Sequence, residues 1–298
     1  MAPTRRAASL LREQKVGTLC EGTAVIRVKK HEGSQGADFP GTRRFMRLCF
    51  VLLPHARALG AAPFEKALAE FPALGKVRWL SSTREGTSAF GVGGLNVLVS
   101  LMPMPVPEGE ADGATERSLS GLDGSWTLPA HHAHLVVVQQ GAKGTDLEEL
   151  TTFTRVVAAI VRATDAVGVY WGEGSATHHP EFIVDMAHTD LPLPVWVGVS
   201  VAKGELLSIG MKQLGLPDLL LSAAKVDGGV FEFFYDLLAY VVRRGKRLPE
   251  GDSIGRTEKE KLKVRYVRSP VSRDEEVWNV RLPAAKKKPA PVKRKKKK

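Results

Sequence analysis

The chain has 298 residues, of which 43% are hydrophobic and 25% charged, and a formal net charge of +11. That is enough apolar side chain for one large domain or two small ones. It excludes collagen-like, mainly disordered and disulfide-scaffold classes, the last because Cys20 and Cys49 are the two cysteines. The longest nearly uncharged apolar stretch, Leu191 to Ala202, contains Pro192 and Pro194 and falls well short of the roughly 20 residues that cross a bilayer, so no membrane contact is expected.

Residues 1–45 hold nine basic and four acidic side chains and loop formers such as Gly33, Gly36, Pro40 and Gly41. Their apolar patches, Ala7 to Leu11 and Ala24 to Val28, are short, and this segment reads as a flexible leader. Arg12 interrupts the first patch before it reaches the length of a secretory signal core, so a cytoplasmic protein is expected. Texture changes at Met46. Leu48 to Leu53 is a continuous apolar run closed by Pro54, the pattern of a strand buried on both faces. Pro63 suits the first residue of a helix whose Phe64, Ala67, Leu68 and Phe71 share one side. Val77 to Leu80, Thr87 to Val92 and Leu95 to Leu101 read as strands, the last two joined by a tight turn at Gly93 and Gly94.

Residues 108–130 are polar and Gly-rich, with Trp126 as their one aromatic residue, and read as a long loop. His134 to Val138 is the next strand. Thr145 and Glu148 have capping-box spacing ahead of a helix to Arg162 striped by Leu150, Phe153, Val157, Ile160 and Val161. Strands are expected at Val167 to Trp171, Val195 to Val201 and Leu206 to Met211, the last two as a hairpin about Gly204 and Glu205, with a short helix from Pro180 to His188 between the first and second. Asp227 can cap a helix that ends at Gly245, with Arg243 and Arg244 at its negative end. Late strands follow at Val264 to Arg268 and Val277 to Leu282.

Strands outnumber helices, and several are hairpin-linked, which points to an α+β fold with mixed, largely antiparallel sheets and packed helices. We expect a single domain over 46–285, its halves near 46–130 and 131–285 being compatible with an internal duplication. Residues 286–298 hold nine Lys or Arg and no acid, which leaves 46–285 at −3. With almost nothing to bury, this stretch reads as a disordered tail. Lys286, Lys287, Lys288, Lys293, Arg294, Lys295, Lys296, Lys297 and Lys298 are its candidate polyanion-binding residues, able to contact nucleic acid weakly and without sequence readout.

The chain lacks a Walker-type phosphate loop, a dinucleotide-binding turn, a nucleophile elbow, an H-E-x-x-H helix and a C-x-x-C pair, so neither a catalytic residue nor a cofactor is assigned. Cys49 reads as a small buried hydrophobe, and Tyr170, Trp171 and Trp196 as core. Histidines cluster as His131, His132 and His134, and again as His178, His179 and His188. On the helix from Pro180, Glu181, Asp185 and His188 project from one face, with Ile183, Met186 and Ala187 on the other. His178, His179, Glu181, Asp185 and His188 are therefore the candidate metal ligands, since imidazole and carboxylate suit zinc, manganese or iron.

The run Asn96-Val-Leu-Val-Ser-Leu-Met-Pro-Met-Pro-Val-Pro-Glu108 resembles an uncharacterised bacterial family, domain of unknown function family 4261. The segments His131 to Val138, Val167 to Trp171, Pro180 to Asp185 and Leu193 to Trp196 follow in that family's order, so the resemblance extends from about Arg47 to Leu282. It implies an architecture and no reaction. The functional expectation is a non-enzymatic protein-interaction module, adaptor-like or immunity-like, with an unspecified protein partner and a basic tail. The alternative is a metal-dependent hydrolase built on residues 178–188.

Overall fold

The computed structural model describes residues 47–83, 85–122, 124–141, 147–257 and 259–283. The leader, the Lys-rich tail and Thr145 of the expected capping box lie outside them.

The expected α+β architecture is present. Seven strands, β1 (Arg47–Leu53), β2 (Arg78–Ser82), β3 (Thr87–Val92), β4 (Leu95–Met102), β5 (Ala133–Gln140), β6 (Gly168–Trp171) and β7 (Ala176–His178), form one sheet in the order β2-β3-β4-β5-β1-β6-β7. Every pair in it is antiparallel. β1 explains why its sequence is a continuous apolar run, because both faces of the sheet are covered. Cys49, Val51 and Leu53 point into the main core, while Phe50 and Leu52 meet Val106, Ala111, Ala114 and Tyr170 on the opposite face. Gly93 and Gly94, at φ +56 and +80, make the predicted tight turn between β3 and β4.

The main core is built around α2 (Leu147–Arg162), which packs on β1 and β4 and on its neighbours α1 (Ala61–Leu68) and α3 (Pro180–Ala187). Its predicted stripe is buried, and so are Val156, Ala158, Ala159 and Thr154 from its other sides. Each large apolar side chain removed from water here contributes about 1.5–3 kcal/mol before the entropy of ordering.

A second sheet, ordered β13-β14-β10-β9-β8, comprises β8 (Gly198–Ala202), β9 (Glu205–Ile209), β10 (Leu219–Ser222), β13 (Arg265–Arg268) and β14 (Glu276–Arg281). Its β10–β14 pair is parallel. A further two-residue ladder joins β11 (Ser253–Ile254) to β12 (Leu262–Lys263). Apolar residues of both sheets and of α5 (Gly228–Arg244) belong to one continuous cluster. Asp227 caps α5 by accepting from Val230 N–H at 3.2 Å, and Gly245 at φ +64 ends it. Asp227→Ala is expected to lower stability by about 1 kcal/mol, read from urea unfolding, because one N-terminal amide loses its acceptor.

Four local expectations are corrected. Pro63 is the third residue of α1, not the first, and Phe71 lies beyond the helix although it is buried. Val195 and Trp196 belong to a helical turn, α4 (Leu193–Trp196), because Pro192 and Pro194 hold a compact turn closed by Val197 N–H on Leu193 O, and the strand starts only at Gly198. β9 stops at Ile209, since Gly210 is left-handed at φ +114 and Met211 N–H turns to the Asp218 carboxylate at 3.1 Å instead of the ladder. β7 and β10 were not anticipated, being runs of three and four residues with no alternation.

Candidate functional site: a strap fastened by histidines

β4 ends at Met102 because prolines at 103, 105 and 107 cannot supply ladder N–H groups. From Pro103 to Leu122 the chain then crosses the face of the first sheet opposite α2. This strap has little apolar mass, but Val106, Ala111 and Ala114 are buried against Leu52 and Tyr170. Leu119 and Leu122 at its far end are half-buried against the main core, and the rest of its hold is polar, much of it supplied by histidines.

At the near end His134 Nδ1 donates to Met104 O at 2.9 Å, and His131 Nε2 accepts from Val106 N–H at 3.1 Å. Midway, Thr177 donates twice, from its hydroxyl to Ala111 O and from its backbone to Ala114 O. Arg117 reaches Ser175 O at 2.9 Å. At the far end the protons have a defined order. His178 Nε2 lies 3.0 Å from Val195 O, which can only accept, so Nε2 carries the hydrogen and Nδ1 accepts from Ser118 Oγ at 2.6 Å. Ser120 then donates to Ser118 Oγ and accepts from His179 N–H at 3.0 Å.

A serine hydroxyl against a neutral imidazole is the arrangement from which nucleophiles are activated. Ser118 and His178 are both 0% exposed, however, so no substrate atom can approach and the pair serves to fasten the strap. Burial pushes His178 down to about 4. It also lowers His131 and His134, and His131 is lowered further by the neighbouring His134.

The five candidate metal ligands do not converge. His178 is enclosed between Ser118 and Val195, with its ring stacked on Phe182. His179 caps α3 by accepting from Glu181 N–H, and its ring meets the edge of Trp126. Glu181 pairs with Arg162 at 3.0 Å, Asp185 is exposed, and His188 stacks on Phe71. The predicted division of the α3 faces holds, with Ile183, Met186 and Ala187 buried. Among the described residues no group of three or more His, Cys, Asp or Glu is placed to hold a metal ion. The physical reason is that β7 sends His178 inward while the helix start turns His179 outward.

Trp171 and Trp196 are core, as expected; their indole N–H groups donate to Gln213 Oε1 at 3.2 Å and Thr154 Oγ1 at 2.8 Å. Cys49 is fully buried, and burial pushes its thiol up, away from thiolate chemistry. Three polar features carried no sequence signal. Ser118 and Ser120 sit in a polar loop. Buried Arg47 bonds Gln139 Oε1 at 2.9 Å and Glu149 Oε2 at 3.2 Å. Asp218 accepts from Ser208 Oγ at 2.8 Å, and burial raises it to about 6. An open cleft of about 600 Å³ lies beside the first turns of α2, lined by Leu74, Gly93, Thr151, Thr152, Arg155 and Asp190 among others.

These features define an α+β protein in which a long polar strap is clasped over an antiparallel sheet. Residues 207–281, from β9 to β14, match the model of a family described as Domain of unknown function (DUF4261), so the family resemblance read in the sequence is shown over that stretch. The strap and its histidines lie outside the matched residues. No curated protein and no solved structure matches the chain. Among the described residues no helix is long and apolar enough to cross a membrane.

Proposed function

We propose that the chain is a non-enzymatic protein-interaction module, adaptor-like or immunity-like, acting in the bacterial cytoplasm, with the nine basic residues of 286–298 adding weak attraction to nucleic acid. The observation that carries this reading is the edge of the seven-stranded sheet. β2 is outermost, four of its five residues are exposed, and its register with β3 slips between Trp79 and Ser81. Leu80 is the extra residue, 53% exposed. An edge strand offers unpaired backbone groups to an incoming strand, whereas a bulge obstructs indiscriminate extension and re-aims one side chain. The edge therefore favours a partner that accommodates Leu80.

Leu80→Asp is expected to leave the unfolding midpoint nearly unchanged, because the side chain is already in water, and to reduce recovery of the partner in pull-downs from native lysate. Equal recovery by the variant would remove the edge from the account. At the other end, Leu282 N–H bonds Ser222 O at 2.8 Å and fixes where the chain leaves the second sheet, just ahead of the lysines. Deleting 286–298 should abolish a log–log salt slope of about −8 on duplex DNA without moving the melting temperature. Unaltered retention by the truncated chain would refute the assignment to the tail.

A further inference from the structure

The near half of the strap depends on two imidazoles in defined protonation states. His131 holds Val106 N–H only while its Nε2 lone pair is free; once protonated, that nitrogen becomes a donor facing a donor. His134 keeps its donor bond to Met104 O in either state, but it is 8% exposed, so a charge on it is poorly hydrated. The groups that face these rings are few. His131 meets His132 beside it, His134 from β5 and Asp112 from the strap, and His134 meets Glu110 from the strap and the ring of Phe50 from β1. Beyond them lie Tyr170 on β6, which also faces Glu110, and Arg117. Asp112 and Glu110 favour the charged imidazoles, whereas burial and the mutual repulsion of two cations oppose them.

We propose that residues 103–110 form an acid-released strap: on mild acidification they lift from the seven-stranded sheet while its strands stay paired, uncovering part of the face formed by Phe50, Leu52 and Tyr170. The apolar hold on this half is small, with Val106 as its buried anchor, so loss of the His131 acceptor and a cation at His134 weigh heavily. The far half keeps its own fastenings at Thr177 and at Ser118. Release is therefore local. Both imidazoles are held below their ordinary value, so the clasp is complete at neutral pH and opens as pH falls below it.

The test is hydrogen exchange on the full chain at pH 7 and pH 5, corrected for intrinsic rates. Amides of 104–110 should lose about tenfold in protection, while those of β3 and β4 keep theirs. In His131→Gln/His134→Asn the amide oxygen and amide nitrogen stand in for the acceptor and the donor without titrating, and protection should stay constant between the two pH values. Unchanged protection in the wild type, simultaneous loss in strap and strands, or the same loss in the double variant would each overturn the proposal. If the double variant does not fold, His131→Gln alone makes the same comparison, and a loss equal to the wild type's again overturns it.

Discussion

Gly210→Ala is expected to destabilise the chain by on the order of 3–5 kcal/mol, a large share of the roughly 5–15 kcal/mol by which a domain is ordinarily stable. Gly210 sits where the two sheets meet. Its φ of +114 lies where side-chain-bearing residues are strained, and an added Cβ would stand 2.8 Å from Trp196 O, 2.9 Å from Glu173 O and 2.9 Å from Gly174 Cα. All three are backbone atoms, so no side chain can swing aside. Gln213 locks the same spot, donating to Trp196 O at 2.8 Å and to Gly210 O at 2.9 Å. Relief would require separating the β6–β7 turn from β9. Gly75→Ala is the matched control, at φ +70 with nothing within 4 Å of the new atom, and should cost only about 1 kcal/mol. Urea unfolding of both variants measures the contrast.

The second large effect is a pair of opposite pH dependences. His178, held at about 4 in the fold against 6.5 when exposed, contributes stability that is complete above pH 6.5 and is lost as pH falls through 4. The whole contribution is about 3 kcal/mol. Asp218, raised to about 6 from 3.8, has the reverse sign: its contribution is complete below 3.8 and lost as pH rises through 6, again about 3 kcal/mol. Asp236 acts in the same direction as Asp218, but it is partly solvated and its share is smaller. Each effect is read as variant minus wild type, so that shared titrations cancel. Relative to wild type, His178→Asn should gain stability between pH 7 and pH 4, and Asp218→Asn should lose it. Parallel curves for wild type and His178→Asn would mean that the imidazole is not enclosed.

Elements with a full local vocabulary were legible in the sequence. α5 carried a cap, a stripe, basic residues at its end and a terminal glycine, and β3 and β4 carried a two-glycine turn, so propensity and tertiary packing agree there. β10 was hidden because Leu219 to Ser222 is too short to show a period, and its parallel partner β14 lies more than 50 residues away. Leu193 to Trp196 misled because Val and Trp favour strands while the flanking prolines impose a turn. At the site, the histidine clusters were visible as anomalies, but their use was not. A histidine that fastens a backbone and one that binds a metal look alike in one dimension, and what separates them is a partner such as Ser118, 60 residues from His178. The small residues that seat the strap, Ala111 and Ala114, left no periodic trace in a Gly-rich loop.

The clasp itself is tested most directly by nitrogen–proton NMR of histidine-labelled protein followed from pH 7.5 to pH 5. With Nε2 donating to Val195 O and Nδ1 accepting from Ser118, the His178 ring should remain the neutral Nε2–H tautomer throughout. A ring that carries its proton on Nδ1, or that titrates with the ordinary midpoint near 6.5, would contradict the placement of the strap over the sheet.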